Sequence, residues 1–218
     1  MPVKIFIGNN PLYLCKAGYV LPSEEALELS SKTMLQENYA DKQQLLQILE
    51  KLEIKKLDTA CMLFAENEND LLKEFNTLFK PIDAAGGLVE NNQQEIMMIF
   101  RKGKWDLPKG KVEHKEKIID AAKREVEEET GINNLEVESP IIFYGWKQPF
   151  TLHTYWENKI RIIKSTYWYS MKYSGDNNFV PQAEEGITEV KWIQKNKIKE
   201  LLKNSYASIV DVMRFGKL

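Results

Sequence analysis

A segment rich in glutamate that ends at Gly131 constrains the fold of this chain more than any other part of its sequence. The residue pattern over Lys115–Glu129 predicts a helix, and glycine is a common residue directly after the last helical turn. Within this helix Ile119, Ala122 and Val126 form an apolar stripe along one face. Such a stripe must be buried against another element, so we expect a helix packed on a sheet.

Strands are predicted on both sides of this helix, because aromatic and β-branched residues are concentrated there between turn residues. The predicted strands cover Ala84–Val89, Ile96–Phe100, Ile141–Trp146, Leu152–Trp156, Arg161–Tyr173 and Ile187–Ile193, and closing helices are predicted over Lys195–Leu202 and Ala207–Phe215. Strands around a central helix, followed by a terminal helix, predict an α/β fold with a mixed sheet and helices on its faces.

The charge and the tryptophans change near Asp83, which suggests two domains. Residues 1–83 carry 9 basic and 13 acidic residues, residues 84–218 carry 21 and 19, and all five Trp lie in the second part. In the first part, strands are predicted over Val3–Gly8, Leu12–Cys15 and Leu57–Phe64, with amphipathic helices at 45–52 and 71–79. We therefore expect a small α/β unit of unknown role over residues 1–83 and a second domain over 84–218.

Composition excludes several classes of protein. The net charge is only −2, so neither a strongly basic nucleic-acid binder nor a polybasic membrane binder is expected. The apolar run Ile96–Phe100 is far too short to cross a membrane, and the first ten residues lack the apolar core of a signal peptide. Cys15 and Cys61 show no metal-ligand spacing and are expected to be buried thiols. We therefore expect a cytoplasmic chain that acts on a small molecule, binds one, or binds another protein.

Three acidic residues of the predicted helix, Glu125, Glu128 and Glu129, stand at positions i, i+3 and i+4 and so share one patch. Carboxylates near a helix C-terminus repel one another and the helix dipole, and a helix selected for stability avoids them. A hard divalent cation such as Mg²⁺ or Mn²⁺ would relieve the repulsion. A solvated acidic face is the alternative for such a triplet. Glu116 either starts the helix or pairs with Arg124.

The complete segment from Gly110 to Ile132 matches the pattern Gly-x5-Glu-x7-Arg-Glu-U-x-Glu-Glu-x-Gly-U, where U is aliphatic, at all nine specified positions. This pattern is the Nudix box, and the chain resembles a Nudix hydrolase over residues 84–218. The preceding segment Trp105–Lys111, WDLPKGK, is similar to the loop that leads into that box. The resemblance implies a Nudix-type α/β/α sandwich with a mixed sheet, preceded here by the small α/β N-terminal unit.

Nudix enzymes cleave a phosphoanhydride bond in a nucleoside diphosphate that is linked to a further group. Carried onto this chain, the resemblance makes Mg²⁺ or Mn²⁺ the cofactor, and the implied metal ligands are Glu125, Glu128, Glu129 and the carbonyl of Gly110, with Arg124 and Glu116 orienting the carboxylates. A carboxylate takes a proton from the attacking water. Both a carboxylate of the box and a later one, Glu184 or Glu185, stay open for this role.

The resemblance also implies contacts to substrate. These are Lys109, Lys111 and Arg101 as charge partners of phosphate, and His153 and Tyr155 as rings near a base. The features around the box are closest to the dinucleoside polyphosphate and diphosphoinositol polyphosphate branch, and nucleotide sugars and ADP-ribose stay open as substrates. Two alternatives are a pyrophosphohydrolase of oxidised nucleoside triphosphates and a non-enzymatic regulator that senses nucleotides. The expected partner is a small phosphorylated molecule, not a nucleic acid polymer or a membrane, and a homodimer stays open.

Overall fold

The computed structural model describes residues 1–54, 58–143, 145–146 and 148–216. Its strands are β1 (Val3–Ile7), β2 (Asn10–Lys16), β3 (Thr33–Asn38), β4 (Thr59–Ala65), β5 (Lys80–Asn91), β6 (Ile96–Arg101), β7 (Lys104–Asp106), β8 (Lys109–Lys111), β9 (Glu136–Pro140), β10 (Thr151–Glu157), β11 (Ile160–Tyr173) and β12 (Ile187–Ile193). Its helices are α1 (Ser23–Glu28), α2 (Lys42–Glu53), α3 (Glu68–Asn76), α4 (Ile118–Thr130), α5 (Lys195–Leu201) and α6 (Ala207–Phe215), with 3-10 turns at Ala183–Glu185 and Leu202–Asn204.

The chain forms two compact units, one made of Met1–Ile82 with Tyr144–Lys164 and the other of Asp83–Phe143 with Ser165–Leu218. The first division lies next to the predicted boundary after Asp83. Residues 144–164 follow the box in sequence, but they group with the first unit because β10 runs parallel to β1, with Ile5 opposite Leu152. Whether residues 1–83 and 84–218 are separate domains stays a prediction.

The first unit is a mixed sheet with helices packed against it. Its strands follow the order β10–β1–β2–β4–β3, where β1 and β2 are antiparallel and β4 is parallel to both of its neighbours. Helix α2 buries Leu45, Ile48, Leu49 and Leu52 with the predicted helical spacing. Its first turn is capped by Asp41, whose carboxylate accepts a hydrogen bond from the amide of Gln44 at 2.8 Å. The unit is thus a small α/β structure.

The second unit has the strand order β12–β6–β5–β11, with β7 paired to β6, β8 to β5 and β9 to β11. Helix α4 covers one face through Ala121, Ala122 and Val126, which share a core with β5, β6, β11 and β12. The predicted stripe was wrong at Ile119, which is 41% exposed. The helix begins at Ile118, and that residue lies three positions before Ala121 on the buried face.

The two faces of this sheet carry different helices. A Cβ at Gly87 would meet Val126 of α4 at 2.9 Å, whereas a Cβ at Gly216, directly after α6, would meet Leu88 at 2.3 Å. Neighbouring residues of a strand point to opposite faces, so α4 and the end of α6 lie on opposite sides of β5. The second unit is therefore an α/β/α arrangement with a mixed sheet, and the predicted fold class is confirmed.

The strand predicted over Ile141–Trp146 was wrong. The described residues there, 141–143 and 145–146, form no strand, and β9 lies just upstream, where it pairs with β11. Ile141 and Trp146 are nevertheless buried, so the apolar pattern of this segment reflects core packing and not strand pairing. Tyr144 in this prediction, and Leu57 in the strand predicted at 57–64, lie outside the described residues.

The structure confirms that the two cysteines are buried. Cys15 and Cys61 are free and buried, and desolvation by burial raises the pKa of each thiol to about 12. Neither is suited to be a nucleophile, because the thiolate is the reactive form.

None of the described helices combines the length and the apolar character that spanning a membrane requires.

Candidate active site

The candidate site lies in the second unit, between α4 and the segment that connects β7 to β8. Gly131 ends α4 in the left-handed region with a φ of 78°, and its amide donates a hydrogen bond to the carbonyl of Glu127 at 2.8 Å. A Cβ at position 131 would lie 2.6 Å from Cβ of Val180. Both the backbone conformation and the close packing therefore require glycine where the helix ends.

Glu125 lies directly against the backbone of Gly110. A Cβ on residue 110 would stand 1.8 Å from Oε2 of Glu125, so the carboxylate fills the space of the missing side chain. Strand β8 brings Gly110 to this place by pairing with β5, where Gly110 stands opposite Ala85. Gly110 and Glu125, the first and fourth specified residues of the box, are thus distant in sequence but in contact in the structure.

Arg124 organises three of the carboxylates. Its Nε and Nη2 donate hydrogen bonds to the two oxygens of Glu116, each at 2.8 Å. Its Nη1 donates to Glu125 at 2.8 Å and to Glu128 at 2.9 Å. The bonds from Arg124 lower the pKa of Glu116 to about 2. Of the two arrangements left open for Glu116, the structure therefore shows the pair with Arg124, which also holds Glu125 and Glu128 on one side of α4.

Glu129 is the buried carboxylate of the site, with a side chain that is only 1% exposed. Its Oε2 accepts the backbone amide of Lys109 at 2.8 Å, and its Oε1 accepts Nη1 of Arg101 at 3.3 Å. Burial raises the pKa of Glu129 to about 7, against the opposing effect of the charges on Lys109 and Arg101. A desolvated carboxylate gains strongly from a cation that comes into contact with it.

Arg101 connects the helix to the later loop. Its Nη2 donates a hydrogen bond to Oε2 of Glu185 at 2.6 Å, while its Nη1 bonds to Glu129. Glu184 and Glu185 share the 3-10 turn Ala183–Glu185 and are both exposed. Arg101, predicted to bind phosphate, is thus paired with two carboxylates, and Glu185 is the member of the acidic pair that this link brings to the box.

The other predicted substrate contacts are placed differently. The ammonium of Lys109 bonds to the carboxylate of Asp106, and Lys111 contributes its backbone carbonyl, which accepts Nη2 of Arg124 at 3.1 Å. His153 and Tyr155 lie in β10, in the first unit, where their ring centroids are 5.5 Å apart. The roles of these residues in binding substrate stay predictions.

Two residues near the site were missed by sequence reasoning. Asp106 is buried beside Lys109, and its spacing of three residues from that lysine was the signal that could have identified it. Tyr206 lies under the ammonium of Lys104, 5.1 Å from its ring centroid. Its pKa is raised mainly by burial and is also affected by the charges of Asp106 and Lys109. Tyr206 is far downstream in the chain and matches no motif, so nothing in the sequence pointed to it.

Comparison with known proteins decides the family. The sequence model of the NUDIX domain matches residues 80–213, which is more than half of the chain. The chain belongs to the Nudix family. This confirms the resemblance that the box between Gly110 and Ile132 indicated.

This Nudix chain is similar to two curated proteins and to a solved structure. It is 29% identical over 129 residues to the RNA pyrophosphohydrolase of Pelagibacter ubique, a match that spans 55% of this chain and 80% of that protein. It is 28% identical over 96 residues to the 8-oxo-dGDP phosphatase NUDT18 of Danio rerio, where the match spans 35% of this chain and only 30% of the relative. Among solved structures, the MutT protein from Methanosarcina mazei Go1 has a TM-score of 0.47 and 22% identity, and the match covers 64% of this chain and 95% of that one.

Proposed function

We propose that this Nudix chain hydrolyses a phosphoanhydride bond in a nucleoside diphosphate linked to a further group, with Mg²⁺ or Mn²⁺ as cofactor. The observation that carries the proposal is that adjacent backbone groups contact two box carboxylates: the Lys109 amide donates to the buried Glu129, and Glu125 fills the space beside Gly110. The names of the two curated relatives, a nucleoside diphosphate phosphatase and a pyrophosphohydrolase, support the same class of bond.

The residues present fit a hard divalent cation. Glu125, Glu128, Glu129 and the carbonyl of Gly110 would hold it, because carboxylate and carbonyl oxygens are the ligands that Mg²⁺ and Mn²⁺ prefer. The fit rests on the desolvated carboxylate of Glu129 and on the absence of a Cβ at Gly110, which lets Glu125 approach the backbone. A bound cation would neutralise phosphate charge and lower the pKa of the attacking water.

The protein's own groups orient the carboxylates and accept the proton of the attacking water. Arg124 keeps Glu125 and Glu128 side by side, and the amide of Lys109 fixes one oxygen of Glu129. A water oxygen attacks phosphorus, the bond from phosphorus to the bridging oxygen breaks, and the leaving phosphate keeps the electron pair. The proton of the water passes to a carboxylate. We assign this role to Glu185 ahead of Glu184, because Arg101 ties Glu185 to the box.

The substrate is proposed from the sequence features around the box. They favour dinucleoside or diphosphoinositol polyphosphates, with Lys111 as a charge partner of phosphate. A second candidate is an oxidised nucleotide, which the similarity to the 8-oxo-dGDP phosphatase over 96 residues supports. A homodimer and a cytoplasmic location remain predictions.

A substrate screen with the full chain tests the proposal. The chain is incubated in ¹⁸O-labelled water with Mg²⁺ or Mn²⁺ and dinucleoside polyphosphates, diphosphoinositol polyphosphates, ADP-ribose, nucleotide sugars, 8-oxo-dGDP or 8-oxo-dGTP. We expect two phosphate-bearing products from one of them, one of which carries a single ¹⁸O atom read by mass. Release of pyrophosphate from 8-oxo-dGTP alone would favour the oxidised-nucleotide alternative. The absence of labelled product with either metal across the panel would contradict the proposal.

A further inference from the structure

A buried ion pair stands directly beside the candidate site. Asp106 and Lys109 have side chains that are 4% and 11% exposed, and Oδ2 of Asp106 accepts a hydrogen bond from the ammonium. Oδ1 of Asp106 accepts the amide of Leu107 at 2.8 Å, and the ammonium also reaches the carbonyl of Leu107 at 3.4 Å. These side-chain bonds within the segment 106–109 add to the strand pairing of Asp106 with Ile99 and of Lys109 with Gly86.

This segment supplies the backbone groups of the site. The amide of Lys109 donates to Oε2 of Glu129 at 2.8 Å, and the next residue, Gly110, receives the carboxylate of Glu125. On its other side the segment is anchored to β5, because the carbonyl of Pro108 accepts the amide of Gly87 at 3.1 Å. A change in the conformation of residues 106–109 would thus move the backbone contacts of two carboxylates of the box.

Stability alone explains this pair poorly. Removing two charges from water costs as much free energy as their attraction returns, so a buried ion pair contributes little net stability. The pair does, however, fix a geometry, since each charged group has its hydrogen bonds within four consecutive residues. The ammonium of Lys109 bonds to Asp106, so this side chain contributes to the structure of the segment that carries the Lys109 amide.

We propose that Asp106 is a positioning residue for Glu129, because its buried pair with Lys109 fixes the Lys109 amide that orients this carboxylate. The proposal deepens the proposed function, on which it rests for the metal-binding role of Glu129. Asp106 is not part of the Nudix box, because it precedes Gly110, the first residue of the box.

The substitution Asp106→Asn tests the proposal in the full chain. Asparagine keeps the shape of the side chain and the acceptor for the Leu107 amide, but it loses the charge that holds the ammonium. Two quantities are measured, which are the hydrogen exchange of the Lys109 amide in metal-free protein and the dissociation constant for Mn²⁺ alone. We expect faster exchange at Lys109 and a dissociation constant about 10- to 100-fold higher, the usual effect of losing a partner that orients a metal ligand.

Two further variants complete the experiment. Glu90→Gln breaks the ion pairs of Glu90 with Lys172 at 2.6 Å and with Lys195 at 2.8 Å in the same unit, and we expect it to leave both quantities unchanged. The double variant Asp106→Asn with Lys109→Met replaces the buried pair by neutral groups. We expect this variant to fold and to show the same fast exchange as Asp106→Asn, because no unpaired charge is buried.

Either of two results would overturn the inference. One is wild-type exchange at Lys109 or wild-type Mn²⁺ affinity in Asp106→Asn and the double variant. The other is an equal loss of Mn²⁺ affinity in Glu90→Gln, which would mean that any broken ion pair of this unit has the same effect. The exchange measurement needs no metal and no substrate, so it decides whether Asp106 positions Lys109 even if the wild-type chain hydrolyses none of the compounds in the screen.

Discussion

The substitution Gly110→Ala tests the close approach of Glu125 with the smallest possible change. The added Cβ would lie 1.8 Å from Oε2 and 2.1 Å from Cδ of Glu125. Because carbon and oxygen atoms normally stay about 3.3 Å apart, the carboxylate must move by about 1.5 Å. That shift takes it away from Nη1 of Arg124, now at 2.8 Å. A displacement of about 1 Å at a reacting centre costs about 100-fold, so we predict a loss of about 100-fold in kcat/KM, or about 2.7 kcal/mol.

The assay compares kcat/KM with Mg²⁺ for wild type, Gly110→Ala and the control Gly103→Ala. Gly103 has a φ of 79°, and nothing lies within 4 Å of a Cβ added there. The control should therefore lose about 1 kcal/mol of stability through backbone strain but keep its activity. Thermal unfolding of both variants separates strain from misplacement of Glu125. A kcat/KM of Gly110→Ala within threefold of wild type would show that the position of Glu125 against Gly110 is not needed for activity.

Two further predictions concern single carboxylates. Glu185→Gln should lower kcat by at least about 100-fold, the usual effect of losing a general base. The loss should exceed that of Glu184→Gln, because Arg101 bonds to both Glu185 and Glu129. Equal rates for the two variants would contradict the assignment of Glu185 as the base. In metal-free protein the folded-state pKa of Glu129, near 7, lies above its unfolded value of about 4.3. The folded state therefore loses stability as pH rises between these values, by up to about 4 kcal/mol. The free energy of unfolding is measured against pH by urea unfolding in the presence of a chelator, and Glu129→Gln should lack the decline seen in wild type. Parallel pH profiles for wild type and Glu129→Gln would show that Glu129 is not the titrating group.

The predictable part of the fold is the part with strong periodicity. Helix α4, with its apolar face and its terminal Gly131, and the long strand β11 follow directly from residue pattern. Strand β3, with the sequence TMLQEN, lies at the end of its sheet and is largely exposed, so it lacks the alternation that marks a strand. Helix α1 has six residues, which is too short for an apolar stripe to repeat, and its start has no side-chain cap.

The predictable part of the site is the part that is local in sequence. Arg124 and the carboxylates around it come together because they share one helix, and Gly110 joins them through the pairing of β8 with β5. The pairing of Lys109 with Asp106 was missed, because the sequence does not show whether the side chain of a lysine beside the box faces a phosphate or a buried aspartate. The spacing of three residues between Asp106 and Lys109 permits a pair, and the structure shows that the two side chains are buried and bonded to each other. The segment 144–164 likewise joins the first unit through strand pairing with β1, which no local pattern specifies.

We propose that the box carboxylates hold a divalent cation needed for hydrolysis, and a comparison of four proteins can decide this. Mg²⁺-dependent hydrolysis of the best substrate from the screen is measured, at saturating substrate, for wild type, Glu128→Gln, Glu129→Gln and Glu127→Gln. Glu127 is on the same helix but pairs with Lys123 at 4.0 Å, away from the cluster. We predict that Glu128→Gln and Glu129→Gln abolish activity while folding normally, and that Glu127→Gln remains active. Full activity of both Glu128→Gln and Glu129→Gln would show that these carboxylates are not needed for hydrolysis.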